Sequence, residues 1–202
     1  MIYYIADTHF GHKNIIRMCN RPFASIDEMN ETLINNWNKK VKPTDTVYII
    51  GDMFHHLNRD PSEILERLNG EKHLILGNHD PKWLRNYPQT AKYFKTISRM
   101  ELINVTAGTA TLCHYPMFSF EGKYLIYGHI HEKRQEPLWS YTKDNEFMLN
   151  AGVDVNNFEP VNFYELQKNN AIYKAKNYDK PTEWKNERGE AKETEGENNK
   201  TQ

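Results

Sequence analysis

The sequence predicts an α/β domain of two packed β-sheets flanked by helices, and three observations carry that expectation. Short apolar runs alternate with helix signals through the first half, the pattern of a helix-covered parallel sheet. The second half holds further apolar runs joined by short connections, as a second sheet against the first requires. Five of these runs end in a polar cluster rich in Asp, Asn and His, so one edge of the fold is expected to carry chemistry.

In chain order, residues 2–5, 46–50, 73–76, 109–113 and 123–127 read as buried strands. Weaker strand candidates lie at 101–105, 147–150 and 163–167. Ser25 with Glu28 forms a capping-box signal, and Ile26, Met29, Leu33 and Trp37 then follow at helical spacing. A second helix is expected from Asp60, with Pro61 in its first position, Ile64, Leu65 and Leu68 inward, and an end before Gly70. One domain should therefore span residues 1–178. Residues 179–202 carry twelve charged side chains in twenty-four and no Leu, Ile, Val, Met or Phe, so they are expected to form a disordered charged tail.

Charge and composition exclude several roles. The whole chain has a formal charge of −1, and the body without the tail is near neutral, which gives no general attraction to nucleic acid or to an anionic membrane. No apolar run is long enough to span a bilayer, and the first residues already read as a strand rather than an export signal. Only Cys19 and Cys113 are present, so a cytoplasmic, reducing location is expected. No heptad pattern marks an oligomer.

The polar clusters are Asp7-Thr8-His9, Gly51-Asp52, Gly77-Asn78-His79-Asp80, His114 and Gly128-His129-Ile130-His131, each directly after a strand. In open α/β sheets ligands bind at the carboxyl edge of the strands, so groups far apart in sequence can converge there. Mixed carboxylate and imidazole ligands suit borderline divalent ions rather than Ca²⁺ or a thiolate-bound site. Two such ions need a bridging group, and the isolated carboxylate of Asp52 is the natural one.

This ordered set resembles the calcineurin-like metallophosphoesterases over residues 2 to about 160. The stretch Asp7-Thr-His-Phe-Gly-His-Lys-Asn-Ile-Ile, with Arg21-Pro22-Phe23 and Asn150-Ala-Gly-Val-Asp154, looks like their small single-domain bacterial and phage members. The resemblance implies a four-layer α/β/β/α fold and two divalent ions, with Mn²⁺ first and Fe, Zn²⁺, Ni²⁺ or Mg²⁺ as alternatives. It assigns Asp7, His9, Asp52 and His131 to one ion, and Asp52, Asn78, His114 and His129 to the other. It also implies hydrolysis of a phosphate monoester or diester by a metal-bridging hydroxide, with a nucleotide or cyclic nucleotide among the candidate substrates. His79 is left over as the catalytic acid or phosphate contact, with Asp80 to orient its ring or a neighbouring one. A nuclease or end-processing phosphatase is the rival within this class, and a non-catalytic metal-binding scaffold is the rival outside it.

The remaining candidates have plainer readings beside them. His12 and Asn14 either contact substrate or pack in their loop, and His55 and His56 either reach the substrate or face solvent. Arg17 and Arg21 either clamp phosphate oxygens or form surface ion pairs. His73 reads as structural, and Cys113 as a buried small apolar group.

Overall fold

A computed structural model describes residues 1–55, 59–135 and 137–176. The expected tail at 179–202 and His56 therefore lie outside the described residues.

Two four-stranded sheets face each other. The first has the order β1(Ile2–Ile5), β2(Thr46–Ile50), β3(Glu71–Ile75), β4(Phe94–Ser98), all parallel. The second has the order β5(Met100–Val105), β6(Gly108–Cys113), β7(Tyr124–Tyr127), β8(Met148–Asn150); its first pair is antiparallel and the other two are parallel.

Strand parity divides the core. Side chains alternate across a strand. Tyr3, Ile5, Val47, Ile49 and Leu74 accordingly pack with Met29, Leu33 and Trp37 of α2(Ile26–Lys40). Their neighbours Tyr4, Ile50 and Ile75 pack with Ala110, Leu112, Ile126 and Leu149 between the sheets. Leu125, Tyr127 and Met148 face outward from the second sheet, under Leu138 and Tyr141 of α5(Leu138–Lys143). The result is the expected helix, sheet, sheet, helix layering.

The capping signal of α2 is realised: Ser25 Oγ accepts from the Glu28 amide at 3.1 Å. The next expected helix is shorter than its pattern. Only α3(Ser62–Leu65) forms; the Asp60 carboxylate accepts the Ser62 amide at 2.9 Å at its start, and the helix ends at Leu65, before Leu68. The sequence reading did not include α1(Lys13–Met18), α4(Asp80–Asn86), α5 or β4.

Residues 163–167 are a correction. They open the helix α6(Phe163–Ala175) rather than a strand. Asn162 Oδ1 accepts the Glu165 amide at 3.0 Å and the Glu165 carboxylate accepts the Asn162 amide at 2.9 Å, a reciprocal cap that starts a helix. Phe163 and Leu166 face the core between the sheets three residues apart, a spacing that shares one face on a helix and would fall on opposite faces of a strand.

No helix among the described residues is long and apolar enough to cross a membrane.

Candidate metal centre

The carboxyl ends of β1, β2, β3, β6 and β7 meet where the sheets adjoin, and backbone hydrogen bonds join the loops that follow them. The amides of Asp7 and His9 donate to the carbonyls of Gly51 and Asp52 at 3.0 and 3.1 Å. The Gly128 amide donates to the His114 carbonyl at 3.0 Å, and the His129 amide reaches the Asp7 carboxylate at 2.9 Å.

Two clusters of ligating atoms result. Asp7, His9 and His131 form one, and Asp52, His114 and His129 form the other, each with its atoms within 4.8 Å of one another. Asp52 stands between them. Its Oδ2 lies 3.7 Å from His9 Nε2, 3.4 Å from His114 Nε2 and 3.8 Å from His79 Nε2. Asn78 Oδ1 completes the second cluster, 3.2 Å from His114 Nε2 and 3.0 Å from His129 Nδ1.

The donor set fits divalent ions. Two ligands that each bind an ion at about 2.1 Å stand roughly 3 to 4 Å apart, the spacing seen around Asp52. His9 Nε2 is buried and has no hydrogen-bond partner among the described residues, a costly state that a cation relieves. The imidazole of His114 is held in the tautomer a metal requires. Its Nδ1 meets the Ile50 carbonyl at 2.8 Å, and since a carbonyl only accepts, Nδ1 carries the proton and Nε2 points at Asp52.

The electrostatics show what the cluster costs without counter-charge. Burial raises the Asp7 carboxyl to about 6, against the pull of His131 and His114. Burial, then His131 and Arg21, push His9 well below its ordinary range. Burial also opposes charge on His114, but its bond to Asp52 and the carboxylates of Asp7 and Asp52 outweigh that and raise it to about 9. Burial and His114 lower His129 to about 4.

Backbone strain marks the same residues. Asp7, His9, Asp52, His129 and His131 all have positive φ, between 49° and 73°. Non-glycine residues rarely adopt this region, and each instance costs on the order of 1 kcal/mol. Nothing in residue type or spacing announces it. Gly77 has a related role: a Cβ there would collide with the Asp52 carboxylate, so glycine is required for close approach.

Several expected roles change. Arg21 is buried, not a phosphate clamp or a surface pair. Its Nε and Nη2 grip Asp154 at 2.8 and 3.0 Å, and its Nη groups donate to the carbonyls of Thr8 and Asp7 at 2.9 and 2.7 Å, so the fork is consumed inside the protein. Asp80 does not orient the His79 ring. Its buried carboxylate accepts the amides of Asp52, Met53 and Gly77 and the Trp83 indole N–H, at 2.8 to 3.0 Å, and so fixes the loop that carries Asp52. Asn14 is exposed on α1 and does not line the cavity at the centre.

His12, His55 and His79 do line that cavity. Their rings form a chain, with centroids 3.9 Å apart from His12 to His55 and 4.1 Å from His55 to His79. Arg17 is exposed on α1 and lies outside the cavity lining. His73 on β3 bonds Thr96 Oγ1 on β4 at 2.8 Å, and Cys113 is buried.

Asp154 is the residue the sequence reading passed over. Its Oδ2 accepts from His131 Nδ1 at 2.8 Å, turning the other ring nitrogen toward Asp7 and His9. Asn150 holds the same loop, donating to the His131 carbonyl at 2.7 Å. Arg21 and Asp154 sit in the two segments that accompany the ligand motifs in the sequence, but across a separation of 133 residues nothing local announces that they pair.

A two-sheet α/β fold whose strand ends gather adjoining Asp/His clusters defines a metal-ligating class of protein. The sequence profile described as "Calcineurin-like phosphoesterase" matches residues 1–193, and the chain belongs to that family, whose members typically bind divalent metals. Among its relatives is an uncharacterized protein of Methanocaldococcus jannaschii, 37% identical over 166 residues, which covers 79% of this chain and 85% of that one. The gene 66 protein of Mycobacterium phage D29 is 26% identical over 182 residues, covering 76% and 87%. A crystal structure of a protein of unknown function from Aquifex aeolicus superposes with a TM-score of 0.64 at 29% identity, covering 83% of this chain and 98% of that one.

Proposed function

We propose that the protein is a hydrolase that cleaves phosphate esters with the aid of two divalent cations. Asp7, His9, Asp52 and His131 would hold one, and Asp52, Asn78, His114 and His129 the other. Such ions, Mn²⁺ first among them, acidify water toward neutral pH and neutralise phosphoryl oxygens. The net reaction adds one water across the P–O bond and yields a phosphate and an alcohol.

The chain's own groups do the rest. Arg21 and Asp154 fix His131, the Ile50 carbonyl fixes His114, and Asp80 fixes the Asp52 loop, so the charged groups need no rearrangement during reaction. His79 is half-buried, on the cavity wall, with Nε2 3.8 Å from Asp52 Oδ2; from there it can give a proton or hydrogen bond to the leaving oxygen. A small phosphate ester, a nucleotide included, is the substrate class.

The observation that carries this reading is the position of the Asp52 carboxylate within 3.4 to 3.7 Å of an imidazole from each cluster. Metal content and hydrolysis of a generic monoester and diester are to be measured together for wild type and Asp52→Asn. The expected outcome is about two ions and turnover in wild type, with both reduced in the variant; turnover that survives loss of the ions overturns the reading.

A further inference from the structure

The cavity at the metal centre is not polar throughout. It has a volume of about 340 Å³, within the size range of small-molecule sites. Beside the metal-ligand candidates, His12, His55, His79, Lys133 and Gln135 supply polar lining, and Ile15, Met18, Ile130, Leu138 and Trp139 supply apolar lining. Phosphate has no use for the second group, since apolar surface gives an oxyanion neither charge nor a hydrogen bond.

The apolar part is assembled from two elements far apart in the chain. Ile15 and Met18 are three residues apart on α1, a spacing that places both on one helix face. Leu138 and Trp139 open α5, and Ile130 lies in the loop that carries His129 and His131. Trp139 is held before any ligand arrives. The Arg134 guanidinium sits 5.0 Å from its ring centre, and the Tyr173 ring meets it edge-on at 5.2 Å. Arg134 in turn donates to the Tyr173 carbonyl at 2.9 Å. The helix is also tied to the loop after β6, where the Tyr141 hydroxyl bonds the carbonyls of Met117 and Phe118 at 3.1 and 2.6 Å. A rigid aromatic side chain with its position fixed in advance binds at low entropic cost.

We propose that this wall receives the organic part of the substrate, and that the preferred substrate is a phosphate ester whose alcohol carries an apolar or aromatic ring. The proposal rests on the phosphoester-hydrolysing reading above and names the substrate class for it. The ring lies against Trp139, Leu138 and Ile130 while the phosphoryl group faces the ligand clusters and His79. Binding energy from a part of the substrate remote from the reacting bond then contributes to catalysis. Leu138 and Trp139 are specificity-determining residues in this arrangement.

The test compares ethyl with 2-phenylethyl phosphate, each as the monoester and as the methyl diester, on the Mn²⁺-loaded full chain. The leaving alcohols are of similar acidity, so the ratio of kcat/KM values reads the ring alone. Burial of a phenyl ring predicts a preference of roughly 10- to 100-fold for the phenylethyl ester. That preference is expected to shrink to a few-fold in Trp139→Ala and, as a second variant with less disturbance of α5, in Leu138→Ala. Equal kcat/KM for both esters in wild type overturns the proposal, as does a ring preference retained in both variants. If no ester in the series is hydrolysed, the hydrolytic reading fails, and binding of 2-phenylethylphosphonate against ethylphosphonate decides the wall separately. Tighter binding of the former, lost in Trp139→Ala, upholds the wall; equal binding overturns it.

Discussion

At the scale of single residues, the centre depends on side chains that position its ligands without being ligands themselves. Asp154 is held far below the usual carboxylate range: burial opposes its charge, but Arg21 and His131 outweigh that. Removing one partner from such a buried pair leaves the other charge uncompensated. Asp154→Asn is therefore expected to cost about 3 to 5 kcal/mol in urea unfolding. It should also lower metal occupancy, because an amide can present its N–H to His131 and spoil the tautomer. A variant with full metal content and unchanged stability contradicts that role. Gly77→Ala separates the site from the fold. The added methyl meets the Asp52 carboxylate directly, so occupancy measured by elemental analysis should fall, while far-UV circular dichroism stays that of a folded protein.

At the scale of elements, local signals predicted well where one pattern dominated and failed where two overlapped. The short apolar run at 46–50 and the 26–37 helix spacing each pointed to one element, and both formed. At 163–167 a short run with two aromatic residues suits a strand, while the three-residue spacing of Phe163 and Leu166 and the Asn162 and Glu165 cap suit a helix, and the helix forms. The same helix makes a pH prediction. Lys174 of α6 donates to the carbonyls of Asn145 and Met148 at 2.7 Å each, and burial lowers its amine to about 8. Between pH 8 and the ordinary lysine value near 10.4, the unfolded chain binds a proton that the folded chain does not. Stability from this group thus rises with pH across that window and is flat below it. Thermal melts of wild type and Lys174→Met should show wild type gaining on the variant from pH 8 to 10; a constant gap rejects the assignment.

At the scale of the whole molecule, the three apolar clusters are built without any ligand of the centre. Removal of metal should therefore leave a folded but less stable protein. A ligand that binds only the folded state at 100 times its Kd adds about 2.7 kcal/mol. Mn²⁺ added to the chelator-treated protein is expected to raise Tm by several degrees, and by less in Asp52→Asn; an identical shift in both would place the ion elsewhere.

The sequence by itself determined which strands exist near the centre and which side chains leave their ends, because strand periodicity and the residue that follows a strand are local properties. The Asp7, Asp52, Asn78, His114 and His129 positions were legible for that reason. Tertiary structure alone decided that Arg21 turns inward to Asp154, that Asp80 serves the Asp52 backbone, and that α1 and α5 line one cavity with apolar residues. These outcomes depend on which distant groups share a buried space, and in a low-dielectric interior a charged or polar side chain goes to whichever partner satisfies it, however far away in the chain.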